Sequence, residues 1–356
     1  MSNYETQLKK LLALSIKEQA SDLHISVGHS PILRISGSLI PLLKEKKLSA
    51  EDGKGLAFAL MSDKQKEKFL KEKEIDFSYK FNDKARFRVN IFFQKGYVSS
   101  ALRLIPAKIR TIEELNLPSV LHEFAKATQG FILICGPSSQ GKSTTLAALI
   151  DEINHTRTDH IVAIEDPIEY VFSPDRAIID QREVGEDTLS FSKALRSTFR
   201  QDPDVIMVGE MRDTETMATA ISAAETGHLV FATLHTNSAA QTIHRIVDSF
   251  PPQQQDQIRI QLSGSLLGVF SQRLVPRIKG GLIPAYEVML STTAVANLIR
   301  ENKIHEIPMV IETSLELGMI SLNRSLSGLV KRKEISLESA LTYSLNPNEL
   351  KILTRH

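Results

Sequence analysis

Phe131-Ile132-Leu133-Ile134-Cys135 runs directly into Gly136-Pro137-Ser138-Ser139-Gln140-Gly141-Lys142-Ser143, and Thr144-Thr145-Leu146-Ala147-Ala148-Leu149-Ile150 follows. The first segment is an apolar run of strand length and the last is a run of helix formers, so the eight residues between them form a loop that ends at a helix N-terminus. Such a loop turns successive backbone N–H groups toward phosphate, and the helix end adds positive potential. Lys142 is placed for the β- and γ-phosphates, Ser143 offers a hydroxyl to Mg²⁺, and Gly136 to Thr144 together make the cradle. The stretch therefore predicts a site for ATP or GTP with Mg²⁺.

Downstream, short continuous apolar runs recur at Ile161 to Ile164, Val205 to Val208 and Leu229 to Thr233, with helical patterns between them. That alternation predicts a parallel sheet covered on both faces. In such a sheet the carboxyl ends of the strands face the ligand. Asp204-Val205-Ile206-Met207-Val208-Gly209-Glu210 ends in an acid at that edge, which brings Glu210 near metal and γ-phosphate. Ile161 to Ile164 leads into Glu165-Asp166-Pro167-Ile168-Glu169, three carboxylates in a span of five residues. Crowded like charges cost energy unless a cation offsets them, so one carboxylate is expected to orient the attacking water and another to act on the metal. Between Glu165 and Glu169 these residues alone do not choose. His235 stands at the carboxyl end of its strand, where an imidazole reaches phosphate; His228 stands at the opposite end and reads as structural.

The chain before about residue 110 has a different texture. Leu8 to Gln19 has helical spacing, while Leu23 to Val27, Ile32 to Ile35, Phe77 to Tyr79, Phe87 to Phe93 and Ser99 to Ile105 alternate like strands. This predicts a small α+β domain over 1–106, a linker over 107–118 punctuated by Pro106 and Pro118, and a nucleotide domain over 119–356 whose tail from about 285 onward is helical. Leu298 to Lys303 and Ser314 to Val330 are its clearest helical segments, and Lys331-Arg332-Lys333 reads as a solvated helix end. With 43 basic against 42 acidic residues no nucleic-acid partner is indicated. The one cysteine, Cys135, excludes an intrachain disulfide and a multi-cysteine zinc cluster and reads as a small core residue. No signal region opens the chain and no run reaches about 18 apolar residues, so a cytoplasmic protein without membrane insertion is expected.

The order of the phosphate loop, Ile164-Glu165-Asp166-Pro167-Ile168-Glu169, Val208-Gly209-Glu210-Met211-Arg212-Asp213, Ala224-Glu225-Thr226-Gly227-His228 and Thr233-Leu234-His235-Thr236 closely resembles the secretion-superfamily ATPases, and within them the type IV pilus retraction branch. The likeness extends from Ala20-Ser21-Asp22-Leu23-His24 to Ala294-Val295-Ala296-Asn297-Leu298-Ile299-Arg300 and Glu316-Leu317-Gly318-Met319. It implies a PAS-like N-terminal domain, a RecA-like P-loop ATPase domain and a homohexamer that hydrolyses ATP with Mg²⁺ at the pilus base, against an inner-membrane platform protein. By motif, Glu169 matches the glutamate that polarises water, Glu210 the Walker B acid, and His235 the residue beside the γ-phosphate. Arg88 and Arg103 match the arginines that reach nucleotide from the N-terminal domain, where a guanidinium fork suits phosphate. A chain that opens almost directly at this partner domain, with no cysteine cluster, favours retraction over extension. Rival readings are an accessory pilus or type II secretion ATPase, and a nucleic-acid translocase, which would carry a basic stripe. One departure stands out: the family usually has a second internal glycine where Ser139 stands, followed here by Gln140. If that position needs positive φ, serine costs on the order of 1 kcal/mol.

Overall fold

The computed structural model describes residues 3–35, 37–82, 85–106 and 108–355. Met1, Ser2 and Ala107, which the sequence reading assigns to the N-terminal domain and the linker, lie outside the described residues. The chain divides into two compact units, Met1–Lys108 with Pro167–Val171, and Ile109–Asp166 with Phe172–His356.

In the first unit, α1 (Asn3–Lys17), β1 (Asp22–Ile25), β2 (Ile32–Ile35), β3 (Ser38–Pro41), α2 (Ala50–Leu60), α3 (Asp63–Glu72), β4 (Glu74–Phe81), β5 (Ala85–Gln94) and β6 (Tyr97–Pro106) follow in order. The strands form one antiparallel sheet in the order β3-β2-β1-β6-β5-β4. Alternation drives it: Phe87, Val89 and Ile91 of β5 are buried while Arg86, Arg88 and Asn90 between them are not. Leu8, Leu11 and Leu12 of α1 and Leu56 of α2 complete the core. The sequence reading passed over α2 and α3. Both begin with capping boxes, Ser49 with Asp52 and Ser62 with Gln65.

The second unit contains α4 (Val120–Lys126), β7 (Gly130–Cys135), α5 (Lys142–Thr156), β8 (His160–Glu165), β9 (Ile178–Glu183), α6 (Phe191–Thr198), β10 (Val205–Val208), α7 (Thr214–Glu225), β11 (Leu229–Leu234), α8 (Ala239–Asp248), α9 (Pro252–Ser265), β12 (Leu266–Pro276), β13 (Leu282–Leu290), α10 (Thr293–Arg300), α11 (Ile307–Thr313), α12 (Leu322–Lys331), α13 (Leu337–Tyr343) and α14 (Pro347–Arg355). Its sheet runs β13-β12-β7-β11-β10-β8-β9, parallel throughout except that β13 returns antiparallel to β12. The residues of β7, β10 and β11 are all buried, as continuous apolar strands between helices must be.

The tail corrects the sequence reading in two respects: the segment Ser314 to Val330 is α-helical only from Leu322, after a 3₁₀ turn at Leu315–Leu317 and a bridge from Ile320 to Val288, and the helical region starts later than expected. Residues 282–290 are strand, so the helical region begins only at Thr293. The apolar run from Leu266 pairs with β7 on one side and with β13 on the other, a choice its pattern alone does not reveal. Among the described residues no helix is long and apolar enough to cross a membrane.

Candidate nucleotide site

Register places the site. Leu234 pairs with Cys135, and Val208 pairs with Ala232 on one side and Ile164 on the other. Each strand therefore delivers its following residues to one edge of the sheet: the phosphate loop after β7, His235 after β11, Glu210 after β10, and Glu165 at the end of β8. The loop turns through Gly136 at φ 146°, Ser139 at φ 61° and Gly141 at φ 81° before α5 begins at Lys142. A Cβ at Gly136 would lie 2.4 Å from the carbonyl oxygen of Gln272, so the loop passes β12 at a distance only glycine permits. Ser139 does occupy the left-handed region, with the cost to a side-chain-bearing residue that follows.

Lys142 is buried, and its ammonium donates to the carbonyls of Gly136 at 2.8 Å and Pro137 at 2.9 Å and to His235 Nδ1 at 3.2 Å. An ammonium has no acceptor, so Nδ1 must be the acceptor and the imidazole proton sits on Nε2. That Nε2–H faces Glu210 Oε1 at 3.2 Å. Burial and the Lys142 charge both hold His235 below the ordinary histidine value, with Glu210 opposing; the ring is neutral at neutral pH. For Glu210, burial pushes the carboxyl up, but Arg212, His235 and Lys142 outweigh it and hold it below the usual range. The result is an unbroken chain of hydrogen bonds from Lys142 through His235 to Glu210, with the Ser138 hydroxyl also 3.3 Å from Nδ1.

Three contributors were not singled out in the sequence. Arg212 Nη2 lies 2.9 Å from Glu210 Oε2 and its Nη1 lies 3.7 Å from Asp166, so one positive charge is shared between two of the acids at the strand ends. The side chains of Gln272 and Thr145, both buried, bond at 2.6 Å beneath the loop. Arg212 carries no signal of its own within Val208 to Asp213, and nothing in a strand pattern marks Gln272. Glu165 is buried and accepts from Gln181 Nε2 at 3.1 Å. Ser143 and Thr144 lie in the first turn of α5. His228 is structural, its Nδ1 3.0 Å from the carbonyl of Ala223 and its ring edge-on to Phe199.

In the first unit Arg88 and Arg103 are direct cross-strand neighbours, and Asp22 and Arg34 continue the same row across β1 and β2. Asp22 accepts from Arg103 Nε at 3.0 Å and lies 3.7 Å from Arg34. Arg88 Nη1 stands 3.5 Å from Glu169 of the Pro167–Val171 segment. Like charges opposed on neighbouring strands destabilise; Asp22 offsets that, a role the sequence reading missed.

The donor set suits a magnesium triphosphate. The Ser143 hydroxyl stands at a helix N-terminus and Glu210 is an ionised carboxylate whose Oε1 faces the neutral His235 and whose Oε2 faces Arg212, each oxygen keeping a further lone pair, so these two residues would hold Mg²⁺.

A strand, phosphate loop and helix with an acid and a histidine at neighbouring strand ends define a P-loop nucleotide-binding domain. Residues 2–281 match the family described as Type II/IV secretion system protein, and the chain belongs to that family. It is 47% identical over 337 residues to the Type IV pilus retractation ATPase PilT of Pseudomonas aeruginosa, covering 94% of this chain and 96% of that protein. It is 42% identical over 322 residues to the Twitching motility protein of Neisseria gonorrhoeae, covering 90% and 86%. A crystal structure of the pilus retraction motor PilT with bound ADP superposes with a TM-score of 0.88 at 47% identity, covering 97% of this chain and 98% of that one.

Proposed function

We propose that the chain is the ATP-driven motor of type IV pilus retraction and twitching motility, acting as a ring of six copies on an inner-membrane platform protein from the cytoplasmic side. One observation carries the reading: Lys142, His235 and Glu210 converge at neighbouring strand ends, each 3.2 Å from the next, in a chain that matches a pilus retraction ATPase along 94% of its length. As a member of its family the chain is an ATP hydrolase and ATP is its ligand. Gly136 to Thr144 hold the phosphates and Lys142 takes the β- and γ-phosphates. Ser143 and Glu210 would hold Mg²⁺, which would supply positive charge to the phosphate oxygens.

His235 reports whether Lys142 is engaged, because a phosphate that draws the ammonium away leaves Nδ1 without it. Glu169 orients the attacking water; its side chain is more accessible than the buried Glu165. Arg88 and Arg103 meet the developing charge at the nucleotide of a neighbouring copy. Domain rotation around the ring would then displace the platform protein.

The test is a strain carrying Lys142→Ala at the native locus, scored for twitching and for surface pili in the same cells. Lost motility with abundant pili is the expected result. Loss of pili altogether would move the assignment to extension, and intact pili with failed protein export would move it to secretion.

A further inference from the structure

β12 outruns its parallel neighbour. Its register with β7 ends at Ser271 opposite Cys135, yet β12 continues to Pro276. Where β7 stops, the phosphate loop begins, so this stretch of β12 faces a loop with no ladder to offer. Two glutamines fill the gap. Gln140 Oε1 accepts from the backbone N–H of Leu274 at 2.7 Å, in the manner of a strand carbonyl. In return Gln272, buried at 2% exposure, donates from Nε2 to the carbonyl of Gln140 at 2.5 Å and accepts from the Thr145 hydroxyl at 2.6 Å. The loop is thus tied to β12 at Gln140, one residue from Ser139, whose φ of 61° is the strained point of the loop. The amide of Gln140 offsets, through Leu274, part of what Ser139 costs.

We propose that Gln140 is a positioning residue for the nucleotide: its side chain completes the edge of β12 and holds the phosphate loop, against the left-handed strain at Ser139, in the conformation that receives phosphate. The proposal rests on the reading of Gly136 to Thr144 as the phosphate site. Its consequence is a coupling between two adjacent positions. When the binding-competent loop is only partly populated, apparent affinity falls by that fraction. Removing the Gln140 acceptor therefore weakens nucleotide binding, and removing the strain at 139 restores it. Glycine at 139 has little to restore while Gln140 is present.

The experiment measures ADP affinity by calorimetry on full-length protein carrying Gln140→Met, which keeps side-chain bulk without the acceptor, Ser139→Gly, and both together, with Lys142→Ala as control. Amide hydrogen exchange at Leu274 is followed without nucleotide, with Gln140→Glu as the variant that keeps an acceptor. Gln140→Met should weaken ADP about threefold, because losing one neutral hydrogen bond lowers the ratio of competent to incompetent loop about fivefold from a value near unity. The double variant should return to within about twofold of wild type, and Ser139→Gly alone should shift affinity by less than about twofold. Leu274 exchange should speed up in Gln140→Met and stay slow in Gln140→Glu. Wild-type ADP affinity in Gln140→Met, a double variant as weak as Gln140→Met, or unchanged Leu274 exchange would each overturn the proposal while Lys142→Ala abolishes binding. Wild-type affinity in Lys142→Ala would instead overturn the phosphate-site reading beneath it.

Discussion

Cys135 is the single cysteine in the chain and lies at the last position of β7, directly before the phosphate loop, so thiol labelling reads the site's integrity at one atom. Burial raises its thiol from the usual 9.0 to about 11, against opposing hydrogen bonds from Thr242, Ser271 and Thr236. The Thr242 hydroxyl donates to its sulfur at 3.1 Å. Only the thiolate reacts with a disulfide reagent, and the move from 9.0 to about 11 lowers the thiolate fraction about 100-fold at neutral pH. Cys135 is also 0% exposed, so reagent must wait for an opening of β7, β11 and β12. If that opening costs about 4 kcal/mol, labelling slows by a factor of about 1,000, since the opened thiol regains its ordinary value and the closed one is out of reach. With an aromatic disulfide at pH 7.5, native protein should label about 10³-fold more slowly than the same chain in denaturant. Saturating ADP should slow it again, because ligand stabilises the closed form. A native rate within tenfold of the denatured rate, or a rate indifferent to ADP, would refute the argument that the core of the sheet and the phosphate loop open together.

Two further outcomes follow from ion pairs away from the loop. Asp22→Asn should lower the unfolding free energy by about 1–2 kcal/mol in a urea titration, since the row Arg88, Arg103 and Arg34 loses its one negative charge while asparagine keeps an acceptor for Arg103; an unchanged midpoint would show the row to be solvated and indifferent. His122 bridges Glu152 and Glu113 at 2.8 Å each, and the Glu152 hydrogen bond, opposed by burial, raises it above the ordinary 6.5. A raised value stabilises the fold fully below 6.5 and loses its contribution as pH climbs through the native value. The difference in melting temperature between wild type and His122→Gln should thus be largest near pH 6 and shrink toward about pH 8.5. A difference that grows with pH would reverse the sign.

What the sequence made legible was local. The phosphate loop is contiguous, and Glu210 and His235 are announced by the apolar strands that carry them to the sheet edge. Arg88 and Arg103 came only through family likeness, because a strand arginine looks the same whether it meets solvent or phosphate. What stayed hidden were partnerships across long stretches of chain. Asp22 meets Arg103 from β1 and Gln272 meets Thr145 from β12; neither pairing has a periodicity to reveal it. The β12 and β13 hairpin was obscured because Leu266 to Val275 is apolar enough to fit either a helix or a buried strand. The capping boxes at Ser49 and Ser62 were readable signals that went unused.

Lys142 already directs N–H groups at the carbonyls of Gly136 and Pro137 and at His235. A phosphate oxygen that recruits the ammonium therefore performs a substitution: one set of acceptors is exchanged for another, and two carbonyls and an imidazole are handed back to the protein. The net free energy of capture is a difference between two comparable terms. That limits what Lys142 itself adds to the grip on nucleotide and eases the departure of spent ligand, which is what a machine that must fire repeatedly requires.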